Sequence, residues 1–247
     1  MLQQTIQPKG RLSTRARALL SAALLLALPG CQWAAQGQNA EGVRMFQQAY
    51  YQGALQRFQQ AIQSDPKNAD GYYNLAATHH RLGTLQQQKS DLIQAENYYH
   101  LCLDNNTDHP DCHRGLAVLL FEQGRKAEAF RLLQGWAGRS PTLAAPHIEL
   151  ARLYEESGDR EAAKQQLVEA ISVEPSNARA LAALGKLREE SGNTMQALAD
   201  YQRSLSINRF QPQVAARVQS LQSALAAPGG TTPGGTRIVS TPGTPLR

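Results

Sequence analysis

The stretch AAPHIELARLYEESGDREAAKQQLVEAISVEPSN, residues 144–177, is one period of a pattern that runs along the chain. Gly124, Gly158 and Gly192 stand 34 residues apart, as do Leu116, Leu150 and Leu184, and Ala129, Ala163 and Ala197. Pro141 and Pro175 keep the same step. A fixed period of this length marks stacked helix pairs, each too small to bury its apolar face alone. Within the period, Leu150, Leu153 and Tyr154 share one face of a first helix. Gly158 releases the chain at a turn, where a left-handed conformation costs glycine little. Asp159 is placed to cap a second helix, on which Ala163, Leu167, Ala170 and Ile171 recur at helical spacing. The two alanines are small because helices must approach closely there. Pro175 ends the second helix, and Ser176 or Asn177 starts the next.

The units beginning at Pro110 and Ala178 repeat this layout, with Arg209 where the last would place a proline. Upstream, Ala54, Phe58, Ala61 and Pro66 carry the second half of an earlier unit. Its degenerate first helix, from about Ala40, keeps Met45 and Phe46. The next unit starts at Ala69, with Tyr72, Leu75 and Gly83 in register, but between Gly83 and Ala95 it is seven residues longer than its siblings. Seven residues is about one extra turn on each of two antiparallel helices. That predicts longer helices breaking near Ser90. A second small insertion, Asn105 to His109, precedes Pro110. Val214, Val218, Leu221 and Leu225 make an amphipathic stripe suited to a closing helix. Over residues 40–226 the chain resembles the tetratricopeptide repeat (TPR) family, most closely in the last three units. The resemblance implies an all-α solenoid of about five helix-pair repeats plus a C-terminal capping helix.

Residues 1–30 read as a targeting segment. Lys9, Arg11, Arg15 and Arg17 form a basic start, and Ala18 to Leu28 is a mostly apolar core too short to span a bilayer comfortably. It ends in Leu28-Pro29-Gly30-Cys31, which resembles the bacterial lipobox apart from Pro29. That resemblance implies cleavage before Cys31 and a lipid (diacylglycerol and palmitate) on its thiol. The alternatives are ordinary cleavage nearby, after Gly37, and an uncleaved anchor. Gln32 stands where lipoproteins kept at the inner membrane of enterobacteria carry Asp, which favours the outer membrane, facing the periplasm. Residues 31–39 read as a tether. Residues 227–247, rich in Gly, Pro and Thr, read as a disordered tail.

The chain carries 25 Lys+Arg against 20 Asp+Glu, and four of those basic residues belong to the targeting segment. The remainder is nearly balanced, so the basic pI is no sign of nucleic-acid binding. Arg152, Glu155, Glu156 and Lys164 alternate in sign, as on a solvated face.

With Cys31 lipidated, Cys102 and Cys112 remain as a pair in an oxidising compartment. Cys102 falls at the end of one helix and Cys112 at the start of the next, so a disulfide can form across the Asn105–His109 connection. Two buried thiols are the plain alternative. The sharper one is metal, because His100, His109 and His113 cluster with both cysteines, though the spacing matches no standard zinc pattern. Covalent haem through Cys112-His113 would need a second cysteine where His109 stands.

No catalytic signature is present. The run from Gly83 to Ser90 misses a phosphate-binding loop, with Gln88 at the second glycine position and no preceding strand, and reads as a lengthened turn. His79-His80 reads as a helical pair with one member packed inwards. No enzyme activity, cofactor or small-molecule substrate is expected. In TPR arrays the first helix of each unit lines the concave face. Carried over by register, the lining comprises Tyr73, Asn74, Ala77 and His80, then Arg114, Val118 and Phe121, then Ile148 and Arg152, and last Lys186. Such a surface suits an extended peptide or partner helix, and its cations hint at acidic ligands. Of the Lys/Asn/Arg set with which some family members clamp a C-terminal carboxylate, only Asn74 is in place. A lipid-anchored scaffold follows, similar in architecture to lipoproteins that assist pilus secretin assembly or bring hydrolases to peptidoglycan. A metal- or haem-binding envelope protein using Cys102, Cys112 and the histidines is the rival.

Overall fold

A computed structural model describes residues 33–226, which form eleven helices and no strand. In chain order they are α1 (33–47), α2 (Tyr51–Ser64), α3 (Ala69–Gln86), α4 (Lys89–Asn105), α5 (Pro110–Glu122), α6 (Lys126–Arg139), α7 (Ala145–Ser157), α8 (Arg160–Val173), α9 (Ala178–Glu190), α10 (Thr194–Ile207) and α11 (Pro212–Ala226). The chain divides into two compact units at Gly138 and Arg139. The first holds the pairs α1–α2, α3–α4 and α5–α6. The second holds α7–α8, α9–α10 and the closing helix α11.

The second unit follows the period closely. Gly158 and Gly192 sit at the pair turns with φ of 88° and 79°, and Gly124 does the same in the first unit with φ of 79°. The 34-residue spacing of these glycines is thus the spacing of left-handed turns. Asp159 caps α8 by accepting from the Ala162 N–H at 2.9 Å, and Asn177 caps α9 by accepting from the Ala180 N–H at 3.0 Å. Ala151, Ala163, Ala170 and Ala180 are fully or almost fully buried, and with Leu167, Leu184 and Leu187 they make one continuous core. The closing helix packs Leu221, Val214 and Val218 onto Ala197 and Tyr201 of α10, while Leu225 is exposed.

The first unit departs from the period in three places. The pair α3–α4 has 18 and 17 residues where the later pairs have 13 and 14, the expected extra turn in each helix. The break falls at Gln87 and Gln88, with Ser90 already inside α4, and it is Gln87 that takes the left-handed conformation (φ 54°). Gly83 is therefore no turn residue, and the expected loop from Gly83 to Ser90 is mostly helix. A Cβ on Gly83 would lie 2.6 Å from Leu92 Cδ2 and 3.0 Å from the Leu92 backbone nitrogen, so its smallness lets α4 pass closely.

The second departure is at the start. The tether expected over 31–39 is helical from residue 33 onwards. Ala35 is fully buried, Gln38 accepts from Ser64 Oγ at 3.0 Å, and Asn39 donates to Asn68 Oδ1 at 3.2 Å. These contacts hold a segment whose own sequence is too polar to announce a helix. Met45 and Phe46 pack against Phe58, Leu75 and Leu82, as the degenerate repeat requires. The targeting segment, Cys31 and the 227–247 tail lie outside the described residues. Among the described residues no helix is long and apolar enough to cross a membrane. The third departure is the α4–α5 junction.

Candidate functional site

In the first unit, α3 carries Tyr73, Asn74, Ala77 and His80, and α5 carries Arg114, Val118 and Phe121; all seven are half-buried. An aromatic and histidine cluster ties the two helices together. Tyr73 stacks on His109 at 5.8 Å between centroids and lies 6.4 Å from Tyr99. His80 places Nδ1 3.4 Å from the Tyr99 hydroxyl and Nε2 2.9 Å from Glu122. Burial raises the pKa of both tyrosines. At Tyr73 the charge of Asp111 adds to this and Arg114 opposes it; at Tyr99, Tyr73 and Glu122 add to it. Both hydroxyls therefore remain neutral hydrogen-bonding groups. Arg114 pairs with Asp111 at 2.9 Å, and the Lys126 ammonium lies 4.8 Å from the centre of the Phe121 ring.

Alongside this cluster, α1, α3 and α5 frame an open pocket of about 420 Å3. Gln36, Asn39, Ala40 and Val43 come from α1, Asn68 from its approach to α3, Asp70, Tyr73 and Asn74 from α3, and Asp111 from α5. Of the sequence-derived set only Tyr73 and Asn74 line it. Gln36 and Asn39 were missed because residues 31–39 read as a tether, and Asp70 and Asp111 because they resemble any acids in the first turn of a helix. Continuing the helical register upstream from Ala40 would have put Gln36, Asn39, Ala40 and Val43 on one face.

The second unit holds the remaining expected residues. Ile148 is only 7% exposed and belongs to the core, a correction to its placement on an open surface. Arg152 pairs with Glu156 at 3.3 Å, and Lys186 pairs with Glu155 at 2.9 Å, a hydrogen bond that raises the lysine pKa. Every cation of the expected lining is thus met by a carboxylate of its own unit. The hint of acidic ligands drawn from those cations loses its basis.

Cys102 at the end of α4 and Cys112 in the first turn of α5 are joined as a disulfide, their Cα atoms 6.4 Å apart. His109 caps α5, its Nδ1 accepting from the Cys112 N–H at 3.3 Å while Nε2 bonds Asp70 at 2.9 Å. Potential ligand atoms of Cys102, His109 and Cys112 lie within 4.8 Å of one another. In the bridged form, however, neither sulfur is a thiolate, and the His109 Nδ1 lone pair is spent on the cap. His100 is exposed and takes no part. His113 is buried, donating Nε2–H to the Thr107 carbonyl at 2.9 Å and stacking on Trp136 at 4.0 Å. Both His79 and His80 face protein rather than one of them, since His79 bonds Asp91 at 2.8 Å and stacks on Tyr98.

Solved structures of similar fold include a thermophilic TPR protein of Thermus thermophilus, 22% identical, covering 77% of this chain and all of that one, with a TM-score of 0.56. A tetratricopeptide repeat protein of Parabacteroides merdae is 15% identical over 84% of this chain and 80% of its own, with a TM-score of 0.56. PilF of Pseudomonas aeruginosa, also 15% identical, covers 79% and 86%, with a TM-score of 0.51. Human tetratricopeptide repeat protein 8 is 29% identical over 97 residues, which is 39% of this chain and only 17% of that relative. The model for the TPR repeat matches residues 42–83. That for the tetratricopeptide repeat matches residues 81–144 and 148–215, more than half of the chain. Such arrays are scaffolds that hold protein or peptide partners, and catalysis is not their usual work. From the 34-residue period through the helix pairs to these matches, the chain belongs to the tetratricopeptide repeat family.

Proposed function

We propose that this protein is an envelope-anchored adaptor: a lipid on Cys31 fixes it to the bacterial outer membrane, and the inner face of its repeats recruits a protein partner. The observation that carries the recruitment is the α1–α3–α5 face, where Tyr73, Asn74 and their neighbours surround an open pocket. The anchor is supported by the basic start, the short apolar core and Cys31 in the sequence. An exported location is supported independently by the Cys102–Cys112 disulfide, a bond at home in oxidising compartments.

Affinity capture from membrane extracts tests recruitment. The mature array retains a partner that a variant with Tyr73, Arg114 and Phe121 changed to Ala loses, at unchanged helicity; equal capture by both places the interface elsewhere. For the anchor, Cys31→Ser moves the protein from the membrane to the soluble fraction and abolishes palmitate labelling. The rival metal site rests on the Cys102, His109 and Cys112 cluster. Two free thiols with one bound metal per chain would favour that reading over the adaptor.

A further inference from the structure

We propose that the pocket on α1, α3 and α5 receives an extended peptide through a Lys or Arg side chain, seated between Asp70 and Asp111 against the ring of Tyr73. This rests on the reading above, that the inner face binds a partner, and specifies the partner's chemistry.

Charge decides the class. The pocket lining contains two carboxylates, Asp70 and Asp111, and no lysine or arginine. Asp70 is bound through Oδ1 to His109, and Asp111 through Oδ1 to Arg114. A carboxylate accepts several hydrogen bonds, so each keeps capacity for an incoming donor. Both remain open to solvent, with side-chain exposures of 77% and 46%. A guanidinium fork matches such paired acceptors, and an ammonium reaches them as a point charge. The two carboxylates disfavour an acidic side chain, a C-terminal carboxylate or a phosphate here.

The remaining lining suits a peptide rather than a free cation. Asn74 donates to Asn39 at 3.5 Å, and Asn39 donates to Asn68 at 3.2 Å. This chain of amides uses one N–H of Asn74 and leaves its Oδ1 and second N–H, a donor–acceptor pair that matches one peptide unit. Tyr73 supplies an aromatic face for the cation. Burial raises the pKa of its hydroxyl, with Asp111 adding to the shift and Arg114 opposing it, so the ring is offered in its neutral form. The volume of about 420 Å3 fits a side chain and its flanking backbone.

The test uses the full chain in detergent and two fluorescein-labelled eight-residue peptides, identical except for two Arg in one and two Glu in the other. At about 50 mM salt, where exposed charges are weakly screened, the Arg peptide binds roughly fivefold or more tightly than the Glu peptide. Asp70→Asn with Asp111→Asn removes the preference, and Asp70→Lys with Asp111→Lys inverts it. Equal binding of the two peptides, no binding of either, or a preference untouched by the double Asn change overturns the proposal. Should that variant lose helicity, salt decides on the wild type. Affinity for the Arg peptide falls severalfold toward about 0.5 M salt, and a flat response overturns the proposal. A partner captured through Tyr73, Arg114 and Phe121 yet indifferent to the aspartates would sink the cation pocket and leave recruitment standing. Peptide preference without any change of capture in the triple-Ala variant would do the reverse.

Discussion

The pairs α7–α8 and α9–α10 are near copies of each other, whereas α3–α4 is a turn longer in each helix and is followed by a disulfide and a histidine cap. The regular unit buries alanines and leucines and pairs Arg152 and Lys186 with its own carboxylates. The irregular one stacks histidines on aromatic rings, links α3 to α5 through His80 and His109, and opens a polar pocket. The regular unit has an open pocket too, lined by residues of both charges that include Glu161, Lys164, Glu169 and Arg188, whereas the pocket of the irregular unit carries carboxylates and no lysine or arginine.

The largest effect expected is in the irregular unit. Trp136 is fully buried, stacks on His113 and donates its indole N–H to Asp108 at 2.8 Å. Trp136→Ala should cost about 3–5 kcal/mol in chemical denaturation. In a nearest-neighbour array the damage stays local, so amide exchange should accelerate in α4–α6 and spare α9–α10. Equal acceleration in both would erase the distinction between the units. Next comes the bridge. Its two cysteines are 10 residues apart, and for so short a loop reduction or Cys102→Ser with Cys112→Ser should remove about 2–3 kcal/mol, again from the first unit alone.

Gly158→Ala brings the comparison to the regular unit. No atom lies within 4 Å of a Cβ built there, so the cost is conformational, about 1–2 kcal/mol for φ of 88°. Smaller still is a pH effect at Glu174. Its pKa is lowered first by the hydrogen bond from the Ala144 N–H and then by Asn177. A lowered folded pKa gives stability that is present above the ordinary value of 4.5 and lost as pH falls through the folded value. Glu174→Gln should therefore lower the melting temperature of the second unit slightly in the neutral range and leave it nearly unchanged below the folded pKa, which flattens the acid limb of the profile. Last, Lys186→Ala should change stability by less than about 1 kcal/mol, since that pair is largely exposed. A larger loss would mean the surface pairs of the regular unit are structural.

Much of the fold was legible because a turn glycine in every 34 residues has one physical cause, and Gly124, Gly158 and Gly192 obey it. Gly83 misled for the same reason. A glycine needed for a left-handed turn and one needed for close helix approach look alike in sequence, and seven inserted residues carried α3 past it. The start of α1 was illegible because hydrogen bonds to Ser64 and Asn68, rather than an apolar stripe, hold residues 33–39. The pocket was half legible. Tyr73 and Asn74 fell out of the register, but Asp70 and Asp111 look like ordinary first-turn acids favoured by the helix dipole. Only the folded unit shows that they face one space with α1.

The bond between Cys102 and Cys112 also governs how the chain bears load. A pull along the backbone passes from α4 to α5 through sulfur and bypasses residues 103–111, so that junction cannot lengthen before covalent rupture or reduction. Extension must begin at other joints. The helices on either side of the bridge, including α5 with its pocket aspartate, stay tethered while neighbouring segments give way, and a reducing environment would turn this fixed joint into a compliant one.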